Sequence, residues 1–125
     1  MNENEISYGI RGAAFKVYNE LGPGLLESVY ETALAYELEQ SGFKVRRQAG
    51  IPMAYREIKF DVGFRLDLLI NEKVIIEIKS VETLLGIHHK QLLTYLKLSG
   101  RKLGLLINFN TSDIQDSIIR IVNKL

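Results

Sequence analysis

An α/β domain with the element order α-α-β-β-β-α-β-α follows from three features of this 125-residue chain. Apolar residues recur with helical spacing at the N-terminus, and the period drops to two through the middle. Glycine and proline sit where the pattern changes.

Each element has its own warrant. Ile6, Ile10, Ala13, Ala14, Val17, Tyr18 and Leu21 share one helical face within residues 4–21. Gly22, Pro23 and Gly24 stop that helix, because proline offers no backbone donor and glycine reaches dihedrals other residues avoid. A second helix is expected from about Leu25 to Gln40, with Gly42 placed to close it. From residue 43 to 55 the odd positions Phe43, Val45, Ala49, Ile51, Met53 and Tyr55 are apolar, with Arg47 the exception. Pro52 assigns this strand to an edge or a bend. Every even position from Ile58 to Ile70 is apolar, which predicts one continuous core face on the next strand. Val74, Ile76 and Ile78 continue the pattern on a third strand. A helix from 87 to 98 ending at Gly100, a strand at 103–109, and a closing helix from Ser112 to Asn123 complete the expectation, with Ser112 as its N-cap.

Composition sets limits on function. The length suits one domain over residues 1–125, with no linker or repeat. A net charge of +1 removes the strongly basic class that would announce phosphate binding by itself. The absence of cysteine excludes disulfides and thiolate zinc sites. No apolar run approaches the roughly 20 residues of a membrane span, and the acidic, polar start MNENEISYG is not a secretory signal. A cytoplasmic protein with no membrane partner is the expectation.

The stretch FRLDLLINEKVIIEIKS places Asp67 and Glu77 inside two apolar strands. Matching even to even across a hairpin pairs Ile70 with Val74, Leu68 with Ile76 and Leu66 with Ile78, around a loop of Asn71, Glu72 and Lys73. The same register sets Asp67 opposite Glu77 and Arg65 opposite Lys79. Carboxylates starting about 5 Å apart repel unless a proton or cation lies between them. Mg2+ or Mn2+ suits such a hard-oxygen pair, with Lys79 able to act on an attacking water or a phosphate. The plain alternative is a solvated cross-strand network neutralised by Arg65 or Lys79.

Asp67 followed by Glu77-Ile78-Lys79 resembles the bipartite motif of the PD-(D/E)XK nuclease superfamily, with Leu66 where the name has proline. Gly24, Glu27 and Tyr30 in GLLESVY resemble the signature of the GxxExxY family, whose members are similar to that superfamily in fold. The likeness runs from the first helix to the strand around Ile107. It implies a restriction-endonuclease-like αβββαβ core with a mixed central sheet flanked by helices. It also implies a metal-dependent nuclease acting on DNA in preference to RNA, with Asp67, Glu77 and Lys79 catalytic. Glu27 joins Asp67 and Glu77 as a metal ligand by the same likeness, against the simpler reading of a first-turn acid favoured by the helix dipole.

Gln91 and Tyr95, four apart on one helical face with His88, resemble the QxxxY motif of RecB-like nucleases. That assigns them to substrate positioning, together with Tyr30. Lys44, Arg46 and Arg47, and Lys90, Lys97, Arg101 and Lys102, form basic clusters able to follow a phosphate backbone. Two alternatives remain open: a non-catalytic nuclease-fold module that binds nucleic acid or a protein, and an enzyme acting on nucleotides. No phosphate-binding glycine loop is present, since GPGLLES lacks a Gly-Lys-Ser/Thr ending.

Overall fold

The computed structural model describes residues 1–125. Helix α1 spans Glu3–Leu21 and α2 Glu27–Gln40; strands β1 (Val45–Tyr55), β2 (Ile58–Ile70) and β3 (Val74–Lys79) follow. Helix α3 (Gly86–Ser99), β4 (Leu103–Asn108), a 3-10 turn at Gln115–Ser117 and β5 (Ile118–Val122) complete the chain. Helix α1 starts on a capping box. The Asn2 side chain accepts from the Glu5 N–H at 2.8 Å, and the Glu5 carboxylate accepts from the Asn2 N–H at 3.0 Å. No helix is long and apolar enough to cross a membrane.

The five strands form one sheet in the order β1-β2-β3-β4-β5, with β3 and β4 parallel and the other neighbours antiparallel. A parallel pair needs a crossover, and α3 supplies it. Leu92 and Leu96 of α3 pack on Leu69, Ile75 and Leu106. Helices α1 and α2 cover the other face, where Ile10, Ala14 and Leu34 meet Leu68, Ile70, Ile76, Leu105 and Ile107. Gly104 lets α3 sit this close, because a Cβ there would lie 2.9 Å from a Leu92 methyl. The result is the restriction-endonuclease-like αβββαβ core, a mixed central sheet between helices.

The β2–β3 hairpin adopts the expected register at Leu68–Ile76, Leu69–Ile75 and Ile70–Val74. Its loop puts Asn71 (φ 52°) and Glu72 (φ 57°) in the left-handed region. Asparagine tolerates that region. Glu72 is tied down by Arg46, which donates to both carboxylate oxygens at 2.8 and 3.0 Å, and by Arg101.

Two expectations fail. The closing helix is a strand: β5 pairs with the exposed edge of β4 from Ile107–Ile118 to Leu103–Val122. Ile114, Ile118, Ile121 and Val122 suit a helical stripe as well as a strand. However, the β-branched run favours extended backbone, and the open edge offers it five backbone partners. The single core face on β2 also fails. Leu68 and Ile70 face α1 and α2, whereas Leu66 faces the α3 side and Phe64 packs there. Alternation therefore breaks at Asp67. Farther out, Ile58, Phe60 and Val62 are exposed on a ribbon shared with β1.

Candidate functional site

On β3, Val74, Ile76 and Ile78 point to the α1/α2 layer, so Glu77 and Lys79 point to the α3 side with Ile75. Glu77 therefore lies among the aliphatic side chains beneath α3, at 7% exposure. Asp67 approaches from β2, but not as its rung partner. The β2–β3 ladder ends at Leu68–Ile76, and one rung on, the Asp67 carboxylate accepts the Ile78 N–H at 2.8 Å. A side-chain carboxylate thus fills the place of a backbone carbonyl, and β2 is free to diverge from β3.

The electrostatics follow from this burial. The Glu77 carboxyl is pushed from 4.5 up to about 9, first by desolvation, then by the Asp67 charge and a hydrogen bond with the Asp67 side chain; Lys79 opposes the rise. Glu77 Oε1 is the one buried side-chain polar atom in the protein without a hydrogen-bond partner. An orphaned oxygen beside a second carboxylate costs free energy unless something fills the gap. The Tyr95 phenol, on α3, is also raised, by burial and then by the charges of Glu77 and Asp67. Its ring stacks on Phe64 with centroids 4.6 Å apart, closing the site on the β2 side.

The donor set suits a small divalent cation: two hard carboxylates, one with an unfilled oxygen, in a largely apolar surround. No group of three or more His, Cys, Asp or Glu side chains is arranged to hold a metal ion. Water and a phosphate oxygen would complete the coordination, which magnesium readily accepts.

The other expected residues divide. Gln91 is exposed one turn before Tyr95 on α3. Glu27, expected as a third metal ligand, does not join the pair. It is exposed at the first residue of α2, on the layer opposite α3. Ser80 brings the segment before α2 close to the end of β3 by donating to the Leu25 carbonyl at 2.7 Å, yet Glu27 stays in solvent. Tyr30 is corrected from substrate contact to scaffold. It is fully buried, its ring stacks on Phe109 at 4.5 Å, and its hydroxyl donates to the Gly22 carbonyl at 2.6 Å and accepts from Leu25 N–H at 3.1 Å. The tyrosine of the conspicuous Gly-x-x-Glu-x-x-Tyr pattern thus ties down the α1–α2 turn.

The basic clusters are largely committed elsewhere. Arg46 and Arg101 hold Glu72, and Arg47 pairs with Glu31 at 3.2 Å. Lys44, Lys90, Lys97 and Lys102 remain exposed and outside any ion pair. His88 accepts the Leu85 N–H at 3.1 Å and so caps α3. The largest groove of the surface lies between α1 and α2, lined by Val17, Leu21, Val29 and Tyr36, and contains neither acid.

Sequence reasoning missed Asn108, a buried polar residue beside Lys79 in the β3–β4 ladder. Its amide accepts from Val81 N–H (3.1 Å) and donates to the Val81 carbonyl (2.9 Å), and Phe109 N–H donates to the Lys79 carbonyl (3.0 Å). The end of β3 that carries the lysine is therefore fixed. A polar residue closing an otherwise aliphatic strand was the available signal.

A mixed sheet thus lies between helix layers, with an acid on β2 and an acid-x-lysine on the adjoining strand where the two diverge. Residues 4–121 match the PD-(D/E)XK nuclease superfamily, and the chain belongs to it. No curated protein and no solved structure matches the chain.

Proposed function

We propose that this protein hydrolyses phosphodiester bonds in nucleic acid, DNA in preference to RNA, with Mg2+ or Mn2+ held by Asp67 and Glu77. The observation that carries this reading is the unpartnered, buried Glu77 Oε1 beside the Asp67 carboxylate. A bound divalent cation supplies a Lewis acid for the phosphate and lowers the pKa of a coordinated water.

This chain's own residues do the rest. Asp67 is held rigid by the Ile78 N–H, so its second oxygen is presented in a fixed direction. Burial of Glu77 keeps bulk water from solvating its anion, so a bound cation would be the charge that compensates it. Lys79 places an ammonium beside these acids, where it orients the attacking water and stabilises charge gathering on phosphate oxygens. The Tyr95 hydroxyl and the exposed Gln91 amide position the scissile phosphate from α3 by hydrogen bonds. Lys90 adds positive charge on the same helix.

Degradation of linear duplex and single-stranded DNA with added Mn2+ tests the reading. The expected result is cleavage by the wild type and none by Asp67→Asn, with both proteins giving the same circular dichroism. Equal cleavage by the two would refute the assignment.

A further inference from the structure

Gln48 on β1 stands across from Asp67, between the rungs Arg47–Leu68 and Ala49–Leu66. It has φ 48°, a left-handed conformation that a non-glycine residue keeps only when its surroundings impose it. Both strands lose their alternation at this rung. On β1, Arg47 and Gln48 are consecutive, yet both side chains reach Glu31 on α2, whereas Ala49 and Ile51 turn to the α3 side. On β2, Leu68 faces α1 and α2 while Leu66 faces α3, so the change of face falls on Asp67. At this same residue the strand leaves the β3 ladder, and the Asp67 carboxylate accepts the Ile78 N–H.

The group that both residues reach is Glu31. It is 8% exposed, and both of its oxygens are used. Oε1 accepts from the Gln48 amide at 2.7 Å. Oε2 accepts from Arg47 Nε at 3.3 Å and Nη2 at 3.2 Å, and Arg47 Nη2 also donates to Thr32 Oγ1 at 2.8 Å. On the far side, Arg65 donates to the Gln48 carbonyl at 3.4 Å. A buried carboxylate with charge-assisted bonds to two successive residues is strong enough to hold one of them in a costly dihedral.

We infer that Glu31 is a positioning residue for the acid pair: by clamping Arg47 and Gln48 it forces the change of face at the rung opposite Asp67, and so directs the Asp67 carboxylate to the Ile78 N–H of β3, beside Glu77. Glu31 acts through β1 and does not touch the metal or the phosphate. This rests on the reading of Asp67 and Glu77 as the metal-holding pair, but the experiment separates the two.

Hydrogen exchange at the Ile78 amide reports the placement of Asp67 without metal or substrate. Glu31→Gln, which keeps the shape of the side chain but removes its charge, speeds Ile78 exchange by about tenfold or more relative to Ile76, the loss expected for a bond to a charged acceptor. Gln48→Val does the same with Glu31 intact, because a β-branched residue resists the left-handed region. The double variant Glu31→Gln, Gln48→Gly returns Ile78 to wild-type protection, since glycine holds that dihedral unaided. Calorimetric Mn2+ affinity falls and recovers in step with Ile78. Unchanged Ile78 exchange in Gln48→Val overturns the inference, as does a double variant no better than Glu31→Gln. A wild type that neither binds Mn2+ nor cleaves DNA, with the Ile78 pattern as described, removes the nuclease reading and upholds the positioning role.

Discussion

Without a bound cation, Glu77 should make the protein less stable as pH rises, and the size follows from its burial. The folded carboxyl titrates near about 9, against 4.5 when unperturbed. Between those values the folded state holds a proton that the unfolded chain has released, so stability falls with rising pH. The slope approaches about 1.4 kcal/mol per pH unit, or about 3 kcal/mol between roughly pH 6 and roughly pH 8. The groups facing Glu77 are Asp67, Lys79 and Tyr95. Urea unfolding in EDTA at a series of pH values measures the slope. Glu77→Gln supplies the reference, since it mimics the protonated carboxyl and leaves His88 and His89 in place. The two should converge toward pH 5, and the variant should be more stable than wild type by about 4 kcal/mol at roughly pH 8. Added Mn2+ should reverse the wild-type trend, because the metal binds the deprotonated carboxylate. Parallel pH profiles for wild type and Glu77→Gln would refute the account of Glu77 as a carboxyl held neutral by its surroundings.

Further expectations concern single side chains. Lys79→Ala should lower kcat for DNA cleavage by about 100-fold or more, with Mn2+ affinity measured by calorimetry little changed. Tyr30→Phe should cost about 1–3 kcal/mol in urea unfolding through the two lost hydrogen bonds of the α1–α2 turn, yet leave KM unaltered. Gly104→Ala should lower stability by about 1–3 kcal/mol by driving a methyl against Leu92 and lifting α3 from the sheet. The loss should appear both as a lower Tm and as reduced cleavage, because α3 carries Tyr95 and Gln91.

The α/β class, the two N-terminal helices, the chain order of the first four strands and the hairpin register from Leu68 to Ile76 were legible in the sequence. Each rests on short-range physics: apolar periodicity, proline and glycine dihedrals, and the parity that matches Leu68 to Ile76. The expected pairs Leu66–Ile78, Asp67–Glu77 and Arg65–Lys79 do not form. The segment after Phe109 was not legible, because Ile114, Ile118, Ile121 and Val122 satisfy two periodicities. Only the vacant edge of β4 chooses between them. Local pattern also misjudged Tyr30, whose place in a recognisable motif drew attention from its fit beneath the Gly22–Leu25 turn.

The sequence by itself determined that Asp67, Glu77 and Lys79 arrive on adjoining strands near one another, since alternation and register are properties of the chain. Tertiary structure alone decided how they meet. The break in alternation opposite Gln48 arises from a long-range clamp by Glu31, and the burial that raises Glu77 comes from α3 settling on the sheet. Such effects depend on which elements end up in contact, and no run of neighbouring residues encodes them.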